Sequence, residues 1–390
     1  MGGERATVAL LVGALVLLAA VSTVRLSSRL RLPTLLAYLG LGLVLGESGL
    51  GVRFDDAHVS RELGFVALAL ILTEGGLTTR WDDLRRTLVP AASLATVGVG
   101  VSVAVTAAAA HAFLGWDWAV ATLLAAVLAP TDTAAVFATL RGLPIRPRIV
   151  RLLEAESVLN DPIAAILVIL LAAGQGHGHP AALVVDFARE VAAGLAAGAA
   201  LGLAGRWYLR RVALPAAGLY PLALLAFVGV SYAGSTLLGG SGFIAVYVTS
   251  LMLGNTEFPQ RAAAVAFSEG VAWLAQIGLF VMLGLLASPQ RLGAAIWPAL
   301  AIGAVLTFVA RPLSVGLVTL PFSLSWRERA FVSWAGLRGA VPIVLATVPL
   351  TTGLAGATEL FDVVFVLVVV FTLVQGPTLS TAARRLRVLD

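Results

Sequence analysis

The chain predicts an all-α polytopic membrane protein of about thirteen spans, because apolar blocks long enough to cross the hydrocarbon core recur from Val8 to Leu379. Its composition agrees: 59% hydrophobic and 12% charged residues, with a mean hydropathy of +0.97, depart far from a soluble domain. Arginines gather at alternate block ends, as they do when a chain is threaded through a bilayer.

The first block, Val8 to Val24, resembles a signal peptide in length, but Arg25, Arg29 and Arg31 follow it and another apolar segment begins at once. It reads as a retained helix. The next blocks run Pro33 to Leu50, Leu63 to Leu77, Leu88 to Phe113, Trp118 to Leu140, Leu153 to Ala173 and Ala182 to Trp207. Two shorter blocks, Tyr220 to Gly234 and Ser241 to Leu253, share a boundary that admits other placements. The last four are Ala262 to Leu286, Leu292 to Val318, Ala330 to Leu350 and Phe361 to Ala383.

Orientation follows from the basic residues. They cluster as Arg25, Arg29 and Arg31; Arg80, Arg85 and Arg86; Arg141, Arg146, Arg148 and Arg151; Arg206, Arg210 and Arg211; Arg327 and Arg329; and Arg384, Arg385 and Arg387. The opposite loops hold Asp55, Asp56 and His58, or His177 and His179, with little basic charge. The positive-inside rule then puts the N terminus outside and the C terminus in the cytoplasm. An odd number of spans gives the same answer.

The same pattern argues against a nucleic-acid partner despite a formal charge of +5 and a pI near 10.3. A nucleic-acid surface needs a clustered basic stripe on a recognisable module, and these arginines are spread as topology signals. With no cysteine, structural disulfides and cysteine-ligated metal sites are excluded. His177 and His179 lie in a Gly-rich turn and read as incidental rather than metal-binding.

Two of the apolar segments contain carboxylates: Ala129-Pro130-Thr131-Asp132, and Glu156-Ser157-Val158-Leu159-Asn160-Asp161-Pro162. An ionisable group at membrane depth is costly and usually marks an ion or proton path. Pro130 and Pro162 each remove a backbone donor, so both helices are expected to be interrupted there, exposing polar backbone beside the carboxylates. Thr131 offers a hydroxyl and a carbonyl, Asp132 a carboxylate, and Ser157 a hydroxyl. Asp161 offers a second carboxylate that accepts a proton when no cation is bound.

Asn160 and Asp161 are adjacent and cannot point the same way on a helix, so Asp161 is the stronger ligand and Asn160 orients it or bridges to the other broken helix. Asp132 and Asn160 could instead cap a half-helix or hold the crossing together. Glu156 carries the same ambiguity, with Arg338 as a candidate partner. Arg338 sits in Gly336-Leu337-Arg338-Gly339-Ala340-Val341-Pro342. It suits electrostatic support of buried carboxylates better than binding of a like-charged cation. Glu74, in Thr73-Glu74-Gly75-Gly76, either gates, pairs with Arg338, or forms an interfacial salt bridge.

These motifs, with Trp273-Leu274-Ala275-Gln276-Ile277-Gly278-Leu279-Phe280, resemble in combination a bacterial NhaP-type monovalent cation/proton antiporter, closest to the potassium/proton branch. The resemblance covers nearly the whole chain. It implies one sodium/hydrogen exchanger transmembrane domain over residues 1–390, with inverted repeats and two crossed, interrupted helices. Core and dimerisation subdomains are interleaved within it. A homodimer surrounded by membrane lipids in the bacterial inner membrane is expected.

By the same resemblance, Asp161 matches the ion-binding aspartate, Asn160 its preceding asparagine, and Thr131 and Ser157 its neighbouring oxygen ligands. Asp132 matches the acid of the first broken helix, Glu156 a polar-core glutamate, and Arg338 the core arginine. The Asn160-Asp161 order looks like the electroneutral branch, which implies one K+ or Na+ exchanged for one H+ and no cofactor. Two features depart from the pattern. Glu74 stands where relatives often have Phe-Asp-Gly-Gly, and the chain ends at Asp390 without the soluble C-terminal region many potassium/proton members carry. A native short form and a truncation both fit that ending.

Competition between proton and cation for Asp161 turns opposing fluxes into exchange if only loaded states cross readily. The rival reading, a proton-independent channel or uniporter, would use the same oxygens. Paired broken spans favour alternating access, and no filter of repeated carbonyls is evident. An enzyme is disfavoured because HExxH, GxSxG and GxxxxGK[ST] are absent.

Overall fold

The computed structural model describes residues 2–30, 34–47, 49–52, 54, 56–140, 143–174 and 180–390. Arg31, Asp55, Arg141, His177 and His179 lie outside the described residues. Among the described residues the regular structure is helical, apart from one isolated antiparallel bridge between Ile145 and Leu389.

In order, the helices are α1 (Gly2–Leu30), α2 (Thr34–Leu45), α3 (Ala57–Thr78), α4 (Trp81–Ser93), α5 (Val99–Leu114), α6 (Trp118–Val127), α7 (Thr133–Thr139), α8 (Pro147–Ala172) and α9 (Pro180–Arg211). They continue as α10 (Leu219–Leu237), α11 (Gly242–Gly254), α12 (Arg261–Leu286), α13 (Pro289–Val305), α14 (Arg311–Val318), α15 (Trp326–Trp334), α16 (Ala340–Leu345), α17 (Thr347–Thr352) and α18 (Ala357–Arg385). A π turn at Leu94–Gly98 joins α4 to α5, and another at Leu306–Ala310 joins α13 to α14. Each π turn adds a residue and re-aims the side chains that follow.

Among the described residues, seven stretches are long and apolar enough to cross a membrane by themselves: Trp81–Leu114, Pro147–Ala172, Ala181–Arg211, Leu219–Leu237, Arg261–Leu286, Pro289–Val318 and Ala357–Arg385. Shorter apolar helices occur at Leu10–Thr23, Thr34–Leu45, Trp118–Val127, Gly242–Gly254 and Ala340–Thr352. The apolar blocks marked in the sequence thus fall largely on helix, with non-helical stretches at 128–132 and 335–339 inside two of them. Many of these helices keep large apolar side chains on the outer surface, such as Leu10 and Leu18 on α1, Val184 and Trp207 on α9, and Trp297 on α13. In lipid that exposure is satisfied rather than costly.

One layer packs α12 against α2 and α3, and α11 against α3, α9 and α10. Alongside it, α4 to α8 and α13 to α18 pack around a central crossing. Glycine permits the closest approach in the first layer: a Cβ on Gly42 of α2 would lie 2.2 Å from the Val281 carbonyl oxygen of α12, and one on Gly284 would lie 2.3 Å from that of Leu39. Backbones in contact at this range exclude any side chain.

Candidate functional site at the helix crossing

Two helices are interrupted at the centre, but they are not both the ones expected. The first break, residues 128–132, separates α6 from α7 as anticipated at Pro130. The second lies at residues 335–339, between α15 and α16, in the glycine-flanked segment that carries Arg338. By contrast, α8 runs unbroken through Glu156, Ser157, Asn160, Asp161 and Pro162. Pro162 costs α8 only the hydrogen bond to the Val158 carbonyl, a loss that neighbouring helices sustain inside a membrane protein.

The first break is held by an explicit set of polar contacts. Arg338 donates from Nη1 to the Ala129 carbonyl and, at 2.6 Å, to the Pro130 carbonyl. Ser157 Oγ on α8 donates to the Thr131 carbonyl at 2.7 Å, and the Asp132 backbone N–H donates to the Leu337 carbonyl at 2.7 Å. Asp132 also caps α7, accepting from the Ala135 N–H at 3.1 Å. In the second break, the Arg338 carbonyl accepts from Thr372 Oγ1 at 3.2 Å. The carbonyls of 129, 130 and 131 are thus all accounted for, which is what allows non-helical backbone at membrane depth.

Gly339 makes the crossing close. A Cβ there would fall 1.9 Å from Asp132 Oδ2 and 2.6 Å from Asp132 Cβ.

Asn160 and Ser157 link α8 to the first break. Asn160 Nδ2 donates to Thr131 Oγ1 at 2.8 Å, so Asn160 performs the bridging role rather than orienting Asp161 through any contact of its amide nitrogen. Next to it, Asp161 Oδ1 is buried and has no hydrogen-bond partner among the described residues. A buried carboxylate oxygen left without a donor is unusual and calls for a ligand or a proton. Asp161, Thr131 and Asp132 line one cavity of about 80 Å³ together with Pro130, Leu68, Ile71, Gln276, Leu279, Phe280 and residues 339–342. That space exceeds the roughly 10–15 Å³ needed to admit a water molecule. Ser157 lines none of it, its hydroxyl being engaged at the break.

The partner of Glu156 is Arg311, not Arg338. Arg311 grips the carboxylate with both terminal nitrogens, Nη2 to Oε2 at 2.9 Å and Nη1 to Oε1. Glu156 is 1% and Arg311 6% exposed, so neither charge has solvent to fall back on. Arg338, 3% exposed, is therefore not the counter-ion of Glu156. Its guanidinium donates to the break carbonyls, so it organises the site through backbone. Arg311 is the functional residue that the sequence reading missed. An arginine inside the apolar block Leu292 to Val318 is the same signal that singled out the carboxylates.

Glu74 is half-buried on α3 and takes part in no ion pair among the described residues, so neither pairing foreseen for it occurs. It does not line the Asp161 cavity.

A vestibule of about 350 Å³ opens beside the site, lined by Arg80, Asp83, Arg151, Glu154, Thr133, Val158 and Tyr247 among others. Arg151, Glu154, Val158 and Asp161 share one face of α8. Thr133 follows Asp132 in the chain. The vestibule therefore lies next to the cavity, and Arg80 and Arg151 are among the residues that line it.

The comparisons agree with this architecture. A profile of the sodium/hydrogen exchanger transmembrane family matches residues 15–385. The chain belongs to the sodium/hydrogen exchanger family. Among relatives, it is 40% identical over 383 residues to the K(+)/H(+) antiporter NhaP of Alkalimonas amylolytica, covering 97% of this chain and 66% of that protein. It is 40% identical over 388 residues to the K(+)/H(+) antiporter NhaP2 of Shewanella sp. (strain MR-4), covering 97% and 67%. A Na(+)/H(+) antiporter, ApNhaP of Aphanothece halophytica, is 30% identical over 319 residues, covering 78% and 60%. The chain thus spans about two thirds of the length of its nearer potassium-named relatives.

The fold matches that of the sodium proton antiporter MjNhaP1 from Methanocaldococcus jannaschii, with a TM-score of 0.84 and 22% identity over 97% of this chain and 99% of that one. As an exchanger-family member, the chain is a multi-pass membrane protein among transporters rather than enzymes.

Proposed function

We infer that the chain is an electroneutral monovalent cation/proton antiporter that exchanges K+ or Na+ for H+ by alternating access, with Asp161 as the shared cation and proton site. The observation that carries this is the unpartnered Asp161 oxygen in a cavity beside Thr131 and Asp132. The names of the relatives agree with it.

One carboxylate serves both ions because a proton on Asp161 removes the charge a cation needs, and a bound cation disfavours the proton. Thr131 supplies a hydroxyl oxygen from the break, and Ser157 stands behind it with its remaining lone pair. Glu156 is neutralised by Arg311, so it adds no competing charge. The empty site then presents carboxylate charge, and moving that through a low-dielectric barrier is costly. Either loaded state crosses more readily, so the two fluxes are coupled.

Access from the cytoplasmic side is supplied by the vestibule with Arg80, Asp83, Arg151 and Glu154. The crossing with its breaks moves against the layer built on α3 and α12, the layer through which two copies pair as a homodimer in the bacterial inner membrane. The N terminus lies outside and the C terminus in the cytoplasm.

The test is proton movement in sealed proteoliposomes after separate K+ and Na+ additions, with voltage clamped by ionophores. Cation-dependent proton exchange that disappears in Asp161→Asn, at matched insertion, is expected. Equal exchange by wild type and variant would remove Asp161 from the site. Voltage-driven cation flux without proton exchange would move the protein to a channel or uniporter.

A further inference from the structure

The cavity that holds Asp161 has two kinds of wall. The breaks and α8 form one, and the other is contributed by Leu68 and Ile71 of α3 and by Gln276, Leu279 and Phe280 of α12. On that second wall Gln276 is the one polar side chain. It is half-buried and makes no hydrogen bond to any described residue.

A carboxamide among four apolar neighbours at membrane depth is unfavourable compared with a leucine unless something uses its polar atoms. Asp161 lines the same cavity, and its buried Oδ1 has no partner among the described residues. An amide oxygen is a neutral acceptor with two lone pairs, suited to a hard cation that must exchange its hydration shell for protein oxygens. It does not titrate at working pH, so unlike Asp161 it can favour the cation without favouring the proton.

We propose that Gln276 is a specificity-determining cation ligand, its carboxamide oxygen completing the shell of the monovalent cation held by Asp161 and Thr131. The proposal rests on the reading of Asp161 as the shared site. Gln276 lies on α12, in the layer opposite the crossing, so its oxygen closes the shell from the wall past which the loaded site would move. A shell shared between two walls ties the fit of the cation to the spacing of those walls.

The experiment measures cation-dependent proton exchange in proteoliposomes for Gln276→Leu, Gln276→Asn and Gln276→Glu, with KM and maximal rate determined separately for K+ and Na+. In Gln276→Leu, KM is expected to rise about tenfold, equivalent to about 1.4 kcal/mol, with the maximal rate held within about twofold and the K+ to Na+ ratio of KM altered. Gln276→Asn, which retracts the oxygen by one methylene, should fall between, and Gln276→Glu should restore cation affinity. If Gln276→Leu fails to insert or fold, the Asn and Glu variants carry the comparison.

A packing role for Gln276 would lower the maximal rate and thermal midpoint while leaving KM and the cation ratio alone, and that result overturns the proposal. The two readings separate through Asp161→Asn. Loss of exchange there, with unchanged KM in the Gln276 variants, defeats the ligand role only. Persistence of exchange in Asp161→Asn defeats both.

Discussion

Arg338 is the most consequential side chain at the crossing, and its removal has a computable effect. Arg338→Met keeps most of the apolar stem and deletes the donors. The Ala129 and Pro130 carbonyls then lose the guanidinium that satisfies them, in a region where Arg338 itself is 3% exposed. An orphaned buried acceptor costs about 1–3 kcal/mol, so two cost about 2–6 kcal/mol. The guanidinium's own desolvation cost disappears at the same time and offsets part of that loss. Against the 5–15 kcal/mol stability of a typical domain, this is a large share.

Arg338→Lys separates charge from geometry, since an ammonium keeps the charge but lacks the planar fork. The expected order of thermal midpoints, read in detergent by loss of the monodisperse peak, is wild type above Lys above Met. Exchange in proteoliposomes should fall in the same order. A Met variant that melts and exchanges like wild type would refute the account of how the break is held.

Three other outcomes follow from the contacts. Glu156→Gln and Arg311→Gln each leave a buried charge unpaired and should destabilise by about 3–5 kcal/mol, whereas Glu156→Met with Arg311→Met should recover most of that loss; a thermal double-mutant cycle measures the coupling. Gly339→Ala forces Cβ to within 1.9 Å of Asp132 Oδ2 and 2.6 Å of its Cβ, so exchange should be lost even where the variant inserts, which matched-yield proteoliposomes would show. Glu328 caps α15 with Ser325: its Oε2 accepts from the Ser325 N–H at 2.7 Å, and Ser325 Oγ accepts from the Glu328 N–H at 3.3 Å. Burial pushes this carboxyl up, but the hydrogen bonds from Ser325 and the nearby charges of Arg148 and Arg146 outweigh it and hold the group below its usual range. A depressed folded-state pKa contributes stability above the unfolded value of about 4.3–4.5 that is lost as pH falls through the folded one. Amide-exchange protection in the first turn of α15, relative to the intrinsic rate at each pH, should therefore fall as pH drops below the usual glutamate range, and Ser325→Ala should weaken that dependence.

Membership in a membrane class, the helical blocks and most of the site were legible in the sequence, because each rests on a local rule. A carboxylate in an apolar run costs free energy wherever the chain goes, so Asp132, Glu156 and Asp161 stood out without a structure. Pro130 signalled its break for the same reason, as a missing donor is a local fact. Pro162 misled because the same missing donor has two outcomes. Flanked by non-helical partners it ends a helix, and supported on both sides it leaves a continuous one, as in α8. Which occurs depends on what packs against the segment.

The pairings were not legible, since they connect residues far apart in the chain. Glu156 meets Arg311 across 155 positions and Arg338 meets Ala129 across 209. Charge alone made Arg338 as good a candidate for Glu156 as Arg311. Geometry decides between them. Arg338 is drawn to the first break because bare carbonyls at membrane depth need donors as urgently as a carboxylate needs a cation. Arg311 follows a π turn that sets its direction toward α8. With Glu156 and the break carbonyls each served by its own guanidinium, Asp161 is left with an unpartnered oxygen. In the proposed function, that division, rather than any single residue type, is what frees one carboxylate at the crossing to alternate between a proton and a cation.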